Sequence, residues 1–230
     1  MRFDLDYAAE ITPLLLRATI TTFEATIGGM ALGLIVGLLI AIVRFAAPPP
    51  IARLAGIYVE FVRSTPLLIQ LFFLFYVLPR YGVSTTPLVT GILALGLHYS
   101  SYTAEVYRAG IRGVPTGQWE AAIALNFSPS RTWTRIILPQ AIPPIIPPLG
   151  NYLVAMFKDT PLLATITVSE LLGTALSEAG RTYRYFEPLT IVGLIFLLLS
   201  YPSAILIKRL ERRLATEHCS VAGRGARVQG

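Results

Sequence analysis

Charged side chains are scarce in this sequence. Only 14% of the 230 residues are charged, whereas about 25% is usual for a soluble domain. Hydrophobic residues make up 54% of the chain, and they are collected in long runs, which is typical of helices that cross a membrane. We therefore predict an all-α, multi-pass membrane protein that is surrounded by lipid and has no room for a large soluble domain.

Cysteine and histidine are also scarce, which bears on the chemistry that the chain can perform. Cys219 is the single cysteine, so an intramolecular disulfide is excluded. His98 and His218 are the two histidines, and no sequence pattern groups them with that cysteine as nucleophile and base or as metal ligands. We expect no catalytic residue, no metal and no cofactor. A phosphate-binding G-x-x-x-x-G-K-S/T motif is absent as well, so ATP hydrolysis would have to come from another subunit.

The start of the chain, MRFDLDYAAE, is acidic, unlike the basic start of a secretion signal. We therefore expect the first apolar run to remain in the mature protein. The net charge of +6 would also suit nucleic-acid binding. However, the basic residues lie at the ends of apolar runs, where they orient helices in a bilayer, so we expect no nucleic-acid partner.

Five membrane-spanning helices are predicted, because a bilayer core needs about 20 apolar residues per helix. They lie near residues 18–43, 55–79, 87–109, 141–159 and 188–207. The fourth is interrupted by prolines. Basic residues are concentrated after the first, third and fifth helices, so the positive-inside rule places the N-terminus outside and the C-terminus in the cytoplasm. The expected organisation is an outer segment 1–17, a transmembrane domain 18–213 and a disordered cytoplasmic tail 214–230.

A polar and basic stretch, EAAIALNFSPSRTWTRIILP, occupies residues 120–139 between two apolar runs. Its Glu-Ala-Ala start and Ile-x-Leu-Pro end resemble the cytoplasmic signature loop of permease subunits of ATP-binding-cassette (ABC) importers. Asn126 stands where that family has glycine. Because asparagine tolerates left-handed backbone better than most residues do, we expect the turn to be kept. We also expect short helices over 117–125 and 131–138, the second stopped by Pro139.

Four further segments are similar to the polar amino acid branch of these permeases: FVRSTPLLIQLFF, AEVYRAGIRGVPTGQWEAA, LPQAIPPIIPPLGN and FKDTPLLATITVSEL. The resemblance implies a type I ABC importer (MetI-like) fold, with five transmembrane helices and a cytoplasmic coupling helix, in the bacterial inner membrane. It also implies two separate ATPase subunits, a second permease subunit that is identical or homologous, and an extracytoplasmic solute-binding protein. The chain itself would be a non-catalytic subunit.

Two stretches, LHYSSYTAEVYRAGI and KDTPLL, are similar to permeases for ectoine and hydroxyectoine. They imply a small zwitterionic substrate, either ectoine or hydroxyectoine or a polar amino acid.

In this family the signature loop docks on the ATPase subunit and carries its motion to the membrane helices. The resemblance therefore assigns the coupling contact to Glu120, Ala121, Ala122 and Asn126. The two alanines are expected to leave a small, flat face for the partner. The alternative is an ordinary cytoplasmic loop that packs on the helices.

Ionisable residues inside apolar runs are costly and are therefore candidates for function. Lys158 and Asp159 are the strongest candidates for substrate binding, because they precede Pro161. The helix is expected to end there and to leave backbone polar groups without helical partners. We predict that Lys158 binds a substrate carboxylate, that Asp159 binds its cationic nitrogen, and that Thr160 adds a hydrogen bond. The alternative is a self-neutralising pair at the outer interface.

Other polar residues are candidates to line the pathway. Thr65 and Gln70 lie on the second span, while Tyr99 and Tyr102 share a face of the third, where aromatic rings can hold a delocalised cation. Each could instead join packed helices through hydrogen bonds. His98 is expected to serve packing.

Two charge pairs have a three-residue spacing that places both members on one helix face. Glu60 with Arg63, and Glu105 with Arg108, are therefore predicted to form structural ion pairs. Two other functions remain as alternatives: an intramembrane enzyme, which would need a nucleophile or clustered metal ligands, and an ATP-independent channel, which would need rings of polar groups and no docking loop.

Overall fold

The structure is a computed structural model that describes the backbone of residues 3–225 and the side chains of residues 3–213. Every regular element in that part of the chain is helical. The α-helices are α1 (Leu5–Ala46), α2 (Pro49–Arg63), α3 (Leu67–Phe72), α4 (Pro87–Arg112), α5 (Thr116–Ala124), α6 (Pro129–Thr132), α7 (Leu138–Asp159), α8 (Leu171–Thr182) and α9 (Phe186–Gly225). They are joined by π-helical turns at Phe73–Val77 and Trp133–Ile137 and by 3₁₀ segments at Leu78–Tyr81 and Thr160–Ile166.

The first helix, α1, begins earlier than predicted because its cap lies close to the N-terminus. The Asp4 carboxylate accepts hydrogen bonds from the backbone N–H groups of Asp6 and Tyr7, at 3.1 and 3.2 Å. These bonds satisfy donors that the first helical turn leaves open. The predicted span 18–43 is thus the central part of a longer helix, and the predicted outer segment 1–17 supplies its first turns.

Small residues let α1 lie directly against α4, which is the central helix of the bundle. Gly29, Gly33 and Gly37 face α4, and a Cβ atom added at Gly33 would lie 3.4 Å from the backbone oxygen of Gly96. The Thr103 hydroxyl donates to the Gly33 carbonyl at 2.7 Å. Small residues at this four-residue spacing let the two helix backbones approach closely.

The predicted second span, 55–79, is not a single helix. The chain bends by 103° between α2 and the segment Leu67–Tyr81. Pro66 causes the bend, since it has no backbone N–H and keeps the preceding residue, Thr65, out of a continuing helix. Pro66 itself is extended, with φ −62° and ψ 137°. Arg63, the last residue of α2 before the bend, lies over the ring of Tyr102 on α4.

The predicted proline break in the fourth span is absent. α7 is one α-helix that contains Pro143, Pro144, Pro147 and Pro148, and Pro139 lies in its first turn rather than stopping the preceding helical piece. The four inner prolines lie in pairs four residues apart, so the missing N–H groups fall on one side of the helix. The opposite side keeps its hydrogen bonds. As predicted, α7 ends at Asp159, and a 3₁₀ segment follows.

Two helices in the described part of the chain are long and apolar enough to cross a membrane, namely Leu5–Ala46 and Phe186–Arg213. The number rises to four if each of two bent helix pairs counts as one span. α4 does not meet this criterion, because its centre carries polar residues that face neighbouring helices. Five spans therefore remain a prediction.

The last helix, α9, continues to Gly225. Its backbone is helical over 214–225, where the sequence predicts disorder, and residues 226–230 lie outside the described part of the chain. At the opposite end of α9, a short helix, α8, packs an apolar side on α1 and α9 through Leu171 and Ala175.

Candidate functional sites

Aromatic rings from two helices meet in the middle of the bundle. His98 and Tyr99 each share a face of α4 with Tyr102, because residues three and four apart are neighbours on a helix surface. Tyr152 of α7 completes the group. The ring centroids lie 5.3 Å apart for His98 and Tyr102, 5.5 Å for Tyr102 and Tyr152, and 6.0 Å for Tyr99 and Tyr152. Together with Asp159, these four residues are called the polar–aromatic cluster below.

Asp159 supplies the negative charge of the polar–aromatic cluster. It is the last residue of α7, and its Oδ2 accepts a hydrogen bond from the Tyr99 hydroxyl at 2.7 Å. The other carboxylate oxygen, Oδ1, has no hydrogen-bond partner within the described side chains. The structure thus brings together Tyr99, Tyr102 and Asp159, all of which the sequence proposes as pathway residues. Tyr152 was missed, because prolines obscure the face pattern of α7.

Arg63 supplies a positive charge beside the polar–aromatic cluster. Its guanidinium carbon lies 5.4 Å from the centroid of the Tyr102 ring, a distance at which a cation and an aromatic face attract each other. Arg63 reaches the ring because it is the last residue of α2, directly before the bend. Among the described residues it makes no ion pair with Glu60, so the predicted Glu60–Arg63 pair is not formed. Glu60 lies instead in an exposed groove with Arg44 and Arg53.

Gln70 and Thr65 join the bend to α4. The Gln70 amide nitrogen donates to the backbone oxygens of Val62 and Thr65 and to the Thr65 hydroxyl, at 2.8, 3.1 and 2.7 Å. Its oxygen lies 3.1 Å from His98 Nδ1. The proposed pathway residues Gln70 and Thr65 therefore border the cluster, but their polar atoms are used by the backbone and by His98.

Lys158 and Thr160 do not join the cluster. Consecutive helical residues point about 100° apart, and Lys158 is exposed in a groove between α7 and α9 that Pro161 and Ser200 also line. Thr160 is fully buried, and its hydroxyl donates to the Phe157 backbone oxygen at 2.7 Å. Neither the proposed carboxylate-binding role of Lys158 nor the hydrogen-bonding role of Thr160 is matched by this geometry.

The predicted Glu105–Arg108 pair is formed, and Arg108 Nε lies 3.0 Å from Glu105 Oε2. Arg44 of α1 makes a second ion pair with the same carboxylate. The sequence did not identify Arg44, because it lies 61 positions from Glu105. The three residues anchor the end of α1 to α4 at the α5 end of the bundle.

In residues 3–213 no group of three or more His, Cys, Asp or Glu side chains could hold a metal ion.

The signature loop begins with helix α5, which ends at a residue with left-handed backbone conformation. Asn126 has φ 54°, so the expectation that asparagine keeps the left-handed turn is confirmed. The Phe127 N–H donates to the Ala122 oxygen at 3.0 Å, and the Asn126 N–H donates to the Ile123 oxygen at 2.9 Å. This pair of bonds is the Schellman arrangement, which satisfies the last carbonyl groups of a helix.

The exposed side of α5 differs from the expected flat alanine face. Glu120 and Ala121 are exposed, but Ala122 is fully buried. Ala122 faces inward because it lies three residues after Trp119, whose ring packs on Trp133 with centroids 5.3 Å apart. The exposed apolar residues are instead Ile123 and Leu125, at 76% and 67% exposure.

Known proteins resemble this chain over most of its length. Residues 29–216 match the model of the family described as binding-protein-dependent transport system inner membrane component. The chain is 44% identical over 211 residues to the probable amino-acid ABC transporter permease protein y4tG of Sinorhizobium fredii, covering 92% of this chain and 91% of that one. It is 35% identical to the L-cystine transport system permease protein TcyB of Bacillus subtilis, covering 88% and 89%.

Two solved structures have a similar fold. A crystal structure of an amino acid ABC transporter with histidines superposes with a TM-score of 0.86 at 34% identity, covering 93% of this chain and 100% of the other. An inward-facing structure of the MetNI methionine ABC transporter gives a TM-score of 0.73 at 20% identity, covering 89% and 98%; this second likeness concerns the fold alone. The chain belongs to the family of inner-membrane permease components of binding-protein-dependent ABC transport systems.

Proposed function

We propose that this chain forms the translocation pathway of an ATP-driven importer for a small zwitterionic solute, namely a polar amino acid, ectoine or hydroxyectoine. The observation that carries the proposal is the polar–aromatic cluster, in which Asp159 is held by Tyr99 among aromatic rings and Arg63 lies at the edge. Ionisable groups inside a membrane protein are kept for function more often than for packing.

The charges of the cluster suit a zwitterion. The free Oδ1 of Asp159 is an acceptor for an ammonium or amidinium group, and the faces of Tyr102 and Tyr152 add cation–π attraction. Arg63 replaces Lys158 as the group that we assign to the substrate carboxylate, since a guanidinium binds a carboxylate through two parallel hydrogen bonds. Both charges of such a solute would therefore be met by an opposite charge.

The aromatic rings bear on which zwitterion is carried. Ectoine has a flat, delocalised amidinium that can stack on tyrosine, whereas an amino acid has a compact ammonium that is met best by a carboxylate. Several similar proteins are named as amino-acid permeases, and one as an L-cystine permease. Amino acids are thus favoured by the relatives, and ectoine is favoured by the aromatic content of the cluster.

We also propose that the α5 segment docks on separate ATPase subunits. Solvent-exposed apolar side chains beside an exposed acidic residue are typical of a surface that a partner covers. Because Ala122 is buried, the contact is assigned to Glu120, Ala121, Ile123, Leu125 and Asn126. Two ATPase subunits, a second permease subunit and an extracytoplasmic binding protein complete the assembly, with the N-terminus outside and the C-terminus in the cytoplasm of a bacterial cell.

Reconstitution tests the transport proposal. The permease, its ATPase and its binding protein are placed in proteoliposomes, and the uptake of labelled L-glutamine, L-cystine and ectoine is measured with and without ATP. We expect ATP-dependent uptake of at least one solute and its loss in Asp159→Asn. Uptake without ATP would identify a channel, and no uptake of any of the three would reject the zwitterion assignment.

A separate variant tests coupling. Glu120→Lys reverses the charge on the proposed docking surface, so we expect it to lower uptake while membrane insertion stays normal. Glu211→Lys makes the same charge change at an exposed position of α9 and serves as the matched control. Equal uptake by both variants would show that Glu120 does not contribute to coupling.

A further inference from the structure

The bend after α2 lacks one backbone donor, and a side chain takes its place. In a continuing helix the carbonyl of Val62 would accept the N–H of residue 66, but Pro66 has none. The Gln70 amide nitrogen lies 2.8 Å from that carbonyl oxygen and 3.1 Å from the carbonyl oxygen of Thr65. The NH₂ group of Gln70 is therefore held by the bend itself.

This contact determines which way the Gln70 amide points. Backbone carbonyl oxygens only accept hydrogen bonds, so the donor end of the amide must face Val62 and Thr65, and its oxygen must face away. The atom on that side is His98 Nδ1, 3.1 Å from Gln70 Oε1. An amide oxygen is an acceptor, so His98 Nδ1 carries a proton. In a neutral imidazole the other nitrogen, Nε2, then carries the lone pair.

The lone pair of His98 Nε2 is available. Within residues 3–213, Nε2 has no hydrogen-bond partner, and the one buried side-chain polar atom without a partner is Ser200 Oγ. Nε2 is therefore not sealed from solvent. The His98 ring lies 5.6 and 5.3 Å from the rings of Tyr99 and Tyr102, and the Tyr99 hydroxyl donates a hydrogen bond to Asp159. His98 is thus linked to the Asp159 carboxylate through one side chain, that of Tyr99.

We propose that His98 is a specificity-determining residue, whose Nε2 accepts a hydrogen bond from an N–H group of the transported solute while Gln70 holds its tautomer. The inference rests on the proposed zwitterion pathway and adds a requirement to it. Asp159 and the tyrosine rings alone attract any organic cation, including a quaternary ammonium. An acceptor at Nε2 favours cations that carry N–H, such as the ammonium of an amino acid or the amidinium of ectoine, and disfavours glycine betaine.

Two substitutions separate the two nitrogens of the ring. His98→Asn keeps an N–H close to the position of Nδ1, for Gln70, but ends short of Nε2. His98→Gln reaches the position of Nε2 with an acceptor oxygen but loses the Nδ1 donor. In proteoliposomes with the ATPase and the binding protein, we expect the KM for a transported solute to rise about tenfold in His98→Asn, the usual scale for one lost hydrogen bond to a charged group, and less in His98→Gln. The reverse order would identify His98 as a packing residue and overturn the inference.

Nitrogen NMR reads the tautomer without any transport. A His218→Gln background leaves His98 as the single histidine of the permease, so ¹⁵N-histidine-labelled permease that is assembled with unlabelled ATPase reports on one ring. We expect protonated Nδ1 and lone-pair Nε2 in the wild-type residue, and a mixture in Gln70→Leu. A predominant Nε2–H tautomer in the wild-type ring would overturn the inference, whatever the complex transports.

Solute titration completes the test with L-glutamine, ectoine and glycine betaine as probes. A transported solute with N–H groups should shift the Nε2 resonance, whereas glycine betaine should not. If the Nε2 resonance does not shift when a transported solute is added, the proposed contact between His98 and the substrate is rejected. If none of the probes is transported or bound, the zwitterion pathway itself fails, and the tautomer measurement then decides separately whether Gln70 orients His98.

Discussion

Tyr99 of α4 and Asp159 of α7 are joined by a hydrogen bond of 2.7 Å between the tyrosine hydroxyl and Oδ2 of the carboxylate. The bond connects the central helix to the point at which α7 changes into a 3₁₀ segment. It holds one oxygen of Asp159 in place and leaves the other available. The geometry of the proposed substrate site therefore depends on a residue that need not touch the solute.

Replacing Tyr99 by phenylalanine tests this dependence. Tyr99→Phe removes the hydroxyl and retains the ring, so the carboxylate of Asp159 loses a donor and its fixed orientation. A hydrogen bond to a charged group contributes about 1.5–3 kcal/mol, and we expect the KM for uptake to rise by roughly tenfold or more. Tyr107→Phe, on the same helix but outside the polar–aromatic cluster, is the control. Equal KM values for the two variants would contradict an orienting role for Tyr99.

The local backbone signals of this sequence were predictive, whereas side-chain direction at helix ends was not. The left-handed turn at Asn126 and the end of α7 before Pro161 follow from the conformational limits of single residues. Lys158 and Asp159 were expected to act together, yet one helical step of about 100° separates them. Arg63 became part of the site only through the bend at Pro66, and the contact of Arg44 with Glu105 depends on long-range packing.

The left-handed backbone at Asn126 gives a prediction for stability. A β-branched residue with φ near 54° is strained by about 1–2 kcal/mol, whereas glycine adopts this conformation freely. We expect Asn126→Val to lower the free energy of unfolding by that amount and to weaken ATPase binding, and Asn126→Gly to leave both nearly unchanged. Asn151→Val changes an exposed asparagine within α7, where φ is negative, and should be mild. Denaturant titration in mixed micelles measures the difference.

The N-terminal cap of α1 gives a prediction for pH dependence. The Arg184 guanidinium donates to Asp4 Oδ2 at 2.8 Å, and this hydrogen bond lowers the pKa of the Asp4 carboxyl below its ordinary value of 3.8. The unfolded chain therefore takes up a proton at a higher pH than the folded chain. The stabilisation is complete above the unfolded pKa and is lost as the pH falls through the lower, folded pKa.

We accordingly expect Arg184→Gln to lower the unfolding temperature at neutral pH, with the difference from wild type shrinking below about pH 4. Arg184 also donates to Glu187 Oε1 at 3.1 Å, and other carboxylates titrate in both proteins, so the difference between the two curves isolates the contacts of Arg184 with Asp4 and Glu187. Asp6→Asn alters a nearby carboxylate that forms no ion pair among the described residues and should shift the curve little. A difference that is constant from neutral to acid pH would show that Arg184 acts through its packing on the Tyr7 ring, whose centroid lies 4.1 Å from the guanidinium carbon, rather than through the two carboxylates.

The close approach of α1 and α4 gives the last prediction. A Cβ atom at position 37 would lie 2.0 Å from the Thr103 hydroxyl oxygen and 2.9 Å from the Ser100 backbone oxygen. Gly37→Ala must therefore push the two helices apart or break the bond between Thr103 and the Gly33 carbonyl. Overpacking of this kind costs about 1–3 kcal/mol, which exceeds the gain of about 1 kcal/mol that alanine brings to a helix.

Gly193→Ala is the matched control, because a Cβ atom there meets nothing within 4 Å. We expect this variant to unfold at the same temperature as the wild type or slightly above it, and Gly37→Ala to unfold several degrees lower. The displacement at position 37 should also reach the polar–aromatic cluster, since Tyr99 and Tyr102 belong to the same helix as Thr103, so the KM for uptake should rise with the loss of stability. Equal unfolding temperatures for the two variants would mean that α1 and α4 have room to separate. Gly29, Gly33 and Gly37 would then not determine the position of α4.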